Sequence, residues 1–347
     1  MGFFGKLFHS ARTQSLVLID ISSGSVAGGY AHYQEGAPPA LLYSRRLPIE
    51  IQGGEPHERA MLRALNALGS ALISEGAPIL MRHTGSGSAD AVFFSVDAPW
   101  QETKVRTESF ERKTPFTFTK SMVTTALEKT SITVPEKVLA DESVIGTTLN
   151  GYETREPYGK KVTRATIIVL TSFIDAKVSE GIVQILRGLF HTKSLFSIAG
   201  SSLRYQAMRA AFPHERNALI FDIIGPLFSI ALVRKGFLVA VTEMPESVSV
   251  KSADRWTEKV VSELTKLAER YPLPRTIFLL AQEQDIPSLE EALTAVRLGG
   301  LWLSDNPPRI VSVLPSHLSE FVQQAAPASP DLPLLFMALY WRYHFDK

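Results

Sequence analysis

Two short stretches hold the residue types from which a phosphate site could be built. In "LIDISSGSV" an apolar strand ends at Asp20 and is followed by Ser22, Ser23, Gly24 and Ser25; in "FDIIGPLFSIAL" an apolar strand ends at Asp222, and Gly225 follows. A tight turn of Gly and Ser lets backbone N–H groups come close to an anion, in dihedrals that bulky residues resist. The first turn meets that need. The second fills the same space with Ile223, Ile224, Pro226, Leu227 and Phe228, and Pro226 has no N–H to offer. An aspartate at a strand end is also an ordinary turn former, through bonds from its side chain to nearby backbone. On the residues alone that reading of Asp20 and Asp222 stays open.

Other chemistries find less support. "HTGSGSAD", His83 to Asp90, gathers a histidine, serines and an aspartate, but it lacks a Gly-x-Ser-x-Gly elbow and reads as a loop between helix and strand. The eight histidines form no His-Glu-x-x-His pattern, and the absence of cysteine excludes disulfides, thiolate metal sites and cysteine nucleophiles. Arg45-Arg46, and Lys160-Lys161 with Arg164, read as solvated basic groups. A net charge of +1 gives no footprint for nucleic acid. With 45% hydrophobic and 20% charged residues the chain should fold, and 347 residues suggest more than one domain.

The elements that would position these residues follow from periodicity. Apolar runs at Ser15 to Ile21, Val26 to Tyr33, Leu41 to Ile49 and "ADAVFFSVDAP" predict four strands, with a helix between the third and fourth. Met61, Leu62, Leu65, Leu68 and Leu72 make one face of that helix. From Gln101 to Thr163 the chain turns polar and alternating, with a helix at "TKSMVTTALEKT" and turns at Asn150-Gly151 and Pro157-Tyr158-Gly159, which predicts a small inserted α+β subdomain. "TRATIIVLTSFI" either closes it or opens the next domain. Later strands and helices, including one capped by Ser201 or Ser202, lead to strands at Ala218 to Ile224, Phe228 to Arg234 and Leu238 to Met244. A β-β-β-α-β order occurring twice, with Asp20 and Asp222 at matching places, is the pattern of a duplicated two-lobed fold.

At this level the chain resembles the actin-like ATPase superfamily, and within it the FtsA and PilM group. "LIDISSGSV" resembles the first phosphate hairpin of that group, "FDIIGPLFSIAL" stands in the place of the second, and "IFLLAQEQDIPSLEEAL" in that of the adenosine loop. "NGYETREPYGKKV" resembles a segment late in the FtsA-type insertion, and "LPLLFMALYWRY" the helix that returns to the first lobe. The resemblance implies an α/β, duplicated actin-like (RNase H-like) two-lobed fold with a small inserted α+β subdomain. Its expected divisions are an amphipathic segment 1–14, a first lobe 15–100, an insertion 101–165, a second lobe 166–330 and the returning helix 331–347.

The resemblance also implies ATP and Mg²⁺, held by Asp20, Ser22, Ser23, Gly24, Ser25, Asp222 and Gly225, with Asp20 and Asp222 around the metal. The second hairpin argues against that, and so does the adenosine loop, where Ala281 and Gln282 replace paired glycines and Glu283 and Asp285 add negative charge. No ATP hydrolysis is therefore expected, and the cleft should hold either no cofactor or ATP and Mg²⁺ only weakly. The implied role is a scaffold at the cytoplasmic face of the membrane in type IV pilus or secretion-type assembly. Its partner would be a short peptide of a membrane-anchored protein, with the insertion as the place for that partner or a neighbouring copy. An FtsA-like division protein that polymerises, and an active ATPase, are the other roles the resemblance allows. No stretch approaches the roughly 20 apolar residues of a membrane span, and "MGFFGKLFHSAR" lacks the features of a secretory signal. The expected location is the cytoplasm, with Phe3, Phe4, Leu7 and Phe8 on one helical face as a peripheral membrane or partner contact.

Overall fold

The structure, a computed structural model, describes residues 13–129, 134–154, 156–244, 253–296, 301–302, 306–325 and 328–345. The segment carrying Phe3, Phe4, Leu7 and Phe8 lies outside the described residues.

Strand β1 (Thr13–Ile21) is buried at every position from Ser15 to Ile21, on both faces, so it lies in the middle of a covered sheet. It pairs antiparallel with β2 (Ser25–Gln34), which pairs antiparallel with β3 (Ala40–Pro48); on its other side β4 (Ala91–Val96) runs parallel. The chain then leaves for a second, four-stranded sheet made of β5 (Gln101–Thr117), β6 (Lys137–Leu149), β7 (Tyr152–Glu153) and β8 (Lys161–Asp175), in the order β5-β8-β6-β7. It returns at β9 (Leu195–Ala199), which lies parallel to β4. A third sheet holds β10 (Ala218–Asp222), β11 (Ser229–Arg234), β12 (Phe237–Glu243), β13 (Thr276–Leu280) and β14 (Arg309–Ser312). Its order, β12-β11-β10-β13-β14, repeats that of β3-β2-β1-β4-β9, with the same pairing directions. A two-residue strand β15 (Gln323–Gln324) adds to the free edge of β3. The duplication read from the two aspartates is thus a duplication of sheet topology.

Helices cover both faces of each main sheet. α1 (His57–Ala71) runs through a π turn at Leu72–Gly76 into α2 (Ala77–Thr84), and α4 (Ala176–Phe190) packs beside it on the outer face of the first sheet. α6 (Ala253–Ala268) and α7 (Ile286–Ala295) cover the outer face of the third sheet. α5 (Gly200–Ala211) and α8 (Leu332–Phe345) lie between the two sheets, in the layer that joins the lobes. α3 (Lys120–Lys129) packs on the insertion sheet. Gly28 and Gly29 in β2 serve this layering: a Cβ on Gly28 would stand 2.7 Å from Leu72, and one on Gly29 would stand 3.4 Å from Leu334. The tighter limit at Gly29 is the Tyr43 carbonyl of β3, which its Cβ would strike, so Gly28 makes room for the α1–π-turn layer and Gly29 for the neighbouring strand.

Several expectations are corrected here. β8 pairs with β5 and β6 along its length to Asp175, so "TRATIIVLTSFI" closes the insertion, and a boundary at 165 would cut a strand in two. α4 and β9 belong to the first lobe, because β9 supplies the fifth strand of its sheet after a crossover through α4. The second lobe's sheet begins only at β10. α5 starts at Gly200 with no side-chain cap, so neither Ser201 nor Ser202 caps it; a Cβ on Gly200 would collide with the Asp97 carboxylate, which fills the front of the helix. The run His57–Thr84 has the length and apolar composition of a membrane span. In this fold Met61, Leu65, Leu68 and Leu72 are buried with residues of the first sheet. In α8, Leu334 to Leu339 are buried on every side of the helix, packed in the layer between the two sheets.

Candidate functional site

The ends of β1 and β10 face one another, and the cleft between them is filled by side chains. Asp20 is 0% exposed. Its Oδ1 accepts from Ser95 Oγ at 2.8 Å and from Arg204 Nη2 at 3.4 Å; its Oδ2 accepts from Ser22 Oγ at 2.8 Å and from Arg46 Nη2 at 3.2 Å. Arg204, on the second turn of α5, has a side chain 3% exposed. Its Nε donates to Asp222 Oδ2 at 2.9 Å and its Nη2 to Asp97 Oδ2 at 2.7 Å. One guanidinium therefore ties β1, the loop after β4 and β10 together. Arg46, on β3, donates through Nε and Nη2 to Asp331 at 2.8 and 3.0 Å, and through Nη1 to Ser25 Oγ at 2.7 Å.

The two hairpin turns touch directly. Ser23 Oγ accepts from the N–H of Leu227 at 3.2 Å. The Pro226 ring lies where a Cβ on Gly24 would be, 2.5 Å from its Cδ, and Ser23 Oγ occupies the matching space over Gly225. Asp222 Oδ1 accepts from its own turn, at Ile224 N, 3.2 Å away. Ile223, Ile224 and Phe228 are buried, and the space left between the hairpins is about 30 Å³, enough for a water or two.

The electrostatics follow from four carboxylates (Asp20, Asp97, Asp222 and Asp331) sharing two guanidiniums. Burial alone would raise the pKa of Asp20, but Arg204, Arg46 and the Ser22 and Ser95 hydroxyls outweigh it and hold the carboxyl below its ordinary value. Burial also pushes Asp97 up, to about 8; the neighbouring carboxylates of Asp20, Asp222 and Glu243 add to this against the pull of Arg204. Glu243, at the end of β12, is pushed up to about 7, chiefly by burial. Burial works against the charge of each arginine, yet the carboxylates raise both above the usual arginine range.

These residues do not fit a magnesium nucleotide. A guanidinium with five fixed donors stands among the carboxylates that would position the metal, and Asp20 and Asp222 already accept from it. In the second turn two donors that a phosphate would use are engaged or missing: Leu227 N is bonded to Ser23, and Pro226 has none. Arg204 Nη1 is buried with no protein partner, but an anion reaching it would meet Asp20, Asp97 and Asp222 at once. Among the described residues no group of three His, Asp or Glu is arranged to hold a metal ion.

Of the sequence candidates, Asp20, Ser22, Ser23, Gly24, Ser25, Asp222 and Gly225 are brought to one place, and what they hold is protein. Arg46, read as solvated, is instead paired inside the cleft, while Lys160, Lys161 and Arg164 stay exposed. Arg204, Asp97 and Asp331 went unread. One signal was available for Arg204: "SSLRYQAM" places an arginine among small and apolar residues, with no acid one helical turn away to pair with it. The loop "HTGSGSAD" contributes Asp90, whose Oδ2 accepts from Ser15 N at 2.7 Å at the far end of β1.

No family model matches the sequence, and no curated protein matches it. Solved structures do. A chain of the "PilM-PilN type IV pilus biogenesis complex" superposes with a TM-score of 0.56 at 16% identity, covering 96% of this chain and 98% of that one. A Bacteroides thetaiotaomicron protein described as having an actin-like ATPase fold and unknown function gives 0.45 at 10% identity, over 94% and 95% of the two chains. The ethanolamine utilization protein EutJ from Carboxydothermus hydrogenoformans gives 0.39 at 12% identity, over 95% and 90%.

Proposed function

We propose, from the premise that this chain has the actin-like two-lobed fold, that it acts as a non-catalytic scaffold, in an assembly of the type IV pilus or secretion kind at the cytoplasmic face of a membrane. One observation carries the non-catalytic part. Arg204 sits where the metal and phosphates of an actin-like site would be, bonded to both strand-end aspartates and to Asp97. A buried cation bonded on three sides does not exchange with solvent, so the lobes are held by a permanent link and not by a ligand that comes and goes. The pilus context is supported by the full-length similarity of fold to a component of the PilM–PilN complex. A protein partner is supported in the same way, and by the sequence resemblance of the insertion.

Calorimetric titration of the purified protein with Mg-ATP tests this reading. Heat should stay at the dilution level up to millimolar nucleotide. Binding tighter than about 100 µM, roughly 5.5 kcal/mol of affinity, would overturn it and make turnover the next question.

A further inference from the structure

Away from the cleft, a hollow of about 1000 Å³ lies between the insertion and the second lobe. Two hairpin tips face each other across it. One is Asn150-Gly151, joining β6 to β7, with φ of +49° and +87°; the other is Lys235-Gly236, joining β11 to β12, with φ of +50° and +81°. Paired left-handed residues make the tight turns that keep such tips short and rigid. The two units are packed and not merely adjacent: Phe237 lies over Gly146, where any Cβ would collide with its ring, and Tyr205 Oη donates to Gly236 O at 2.8 Å and to Ile145 O at 3.2 Å.

The charge of this groove is one-sided. Among the described residues, Arg209, Arg216, Arg234 and Lys235 line it, against the one carboxylate of Glu153. Glu153 pairs with Arg216 and, at 3.5 Å, with Arg209, and so fixes two of the cations in place. The side chains of Arg234 and Lys235 have no partner among the described residues. In a chain whose net charge is only +1, four cations to one anion is a local concentration and not a reflection of overall basicity. The walls add aromatic surface: Tyr152, on the edge strand β7, is 80% exposed, and Tyr271 also lines the groove. Exposed tyrosine beside arginine is the composition of protein interfaces.

We propose that this groove binds an acidic, extended segment of a protein partner. Its carboxylates would meet Arg234 and Lys235 first, then the pair held by Glu153, and its chain would lie along Tyr152. The volume stands at the upper end for small-molecule pockets, which suits a peptide better than a compact anion. A segment bound there would contact insertion and second lobe together. The proposal rests on the scaffold reading only for the expectation of a protein partner. Nucleotide binding would defeat that reading and leave the groove as it is.

The test uses the full chain and a fluorescein-labelled hexaglutamate peptide, with hexalysine, inorganic phosphate and phosphatidylserine vesicles as the other arms. Hexaglutamate should raise anisotropy at about 50 mM salt and lose at least about tenfold in affinity at about 300 mM. The double substitution R234E/K235E should weaken it by a further tenfold or more. Both side chains are unpaired and near a turn, so the melting temperature should stay within about 1 °C of wild type. Hydrogen exchange should slow at 148–153 and 234–239 in the presence of the peptide. No hexaglutamate binding near millimolar concentration, or equal binding by R234E/K235E, would overturn the proposal. So would phosphate or vesicles binding in its place, with loss on the same substitution, since the groove would then belong to a small anion or a lipid surface.

Discussion

Replacing Arg204 with methionine keeps most of the side-chain volume in the layer between the lobes and removes the charge. Asp20, Asp97 and Asp222 would then face one another with Arg46 alone nearby, and Arg46 touches only Asp20 of the three. Removing one partner of a buried ionic cluster costs about 3–5 kcal/mol, because the charges left behind are neither solvated nor paired. At about 2.1 cal/mol/K per residue, the 347-residue chain has an unfolding entropy near 0.7 kcal/mol/K, so the melting temperature should fall by about 4–7 °C. Differential scanning calorimetry at about pH 9, above the pKa of about 8 at Asp97 so that its carboxylate is charged, measures it. Adding D97N and D222N to the methionine variant should restore most of the loss, since the repulsion goes with the charges. R204K should fall between, because one ammonium cannot reach three carboxylates in the geometry of the guanidinium fork. A shift under about 1 °C for R204M, with no rescue by the two asparagines, would refute the idea that this arginine links the lobes.

Three further outcomes follow from the same geometry. Gly24→Ala should destabilise by about 1–3 kcal/mol, because its Cβ would meet the Pro226 ring at 2.5 Å, and Pro226→Ala should relieve it; urea unfolding of the two singles and the double measures the coupling, and additive losses would count against the contact. Glu243 is a carboxyl whose folded pKa, about 7, stands above its ordinary 4.5. The folded state then keeps a proton that the unfolded chain has released, so this group's contribution falls as pH rises from about 4.5 to 7, at up to about 1.4 kcal/mol per pH unit. Glu243→Gln should be more stable than wild type at pH 8 and close to it at pH 4.5; the same difference at both would remove Glu243 as the source. Phe336→Ala, at a fully buried position of α8, should cost about 3–5 kcal/mol, with denaturant midpoints as the readout and a change below 1 kcal/mol as the contrary result.

Much of this protein could be read from its residues in order. β1 and β10 are continuous apolar runs that can only be central strands, and the return of Asp-turn-strand-strand after each already implied two copies of one sheet. The damage to the second hairpin was equally legible, because Pro226 and Phe228 are wrong for binding an anion whatever surrounds them. Tertiary structure decided what occupies the cleft instead. Arg204, Asp97 and Asp20 are separated by 107 and 184 residues along the chain, and no periodicity relates side chains that meet only when two sheets and a helix close on each other. The same holds for Arg46: beside Arg45 in sequence it looks solvated, but alternation along β3 sends the two to opposite faces, Arg45 to Glu75 and Arg46 into the cleft. The extent of β8 also needed the fold, since an apolar run looks the same whether its neighbours in the sheet come before it or after it. Local sequence specifies which strands and turns can form; which charges must neutralise each other is settled only by the distances that packing imposes.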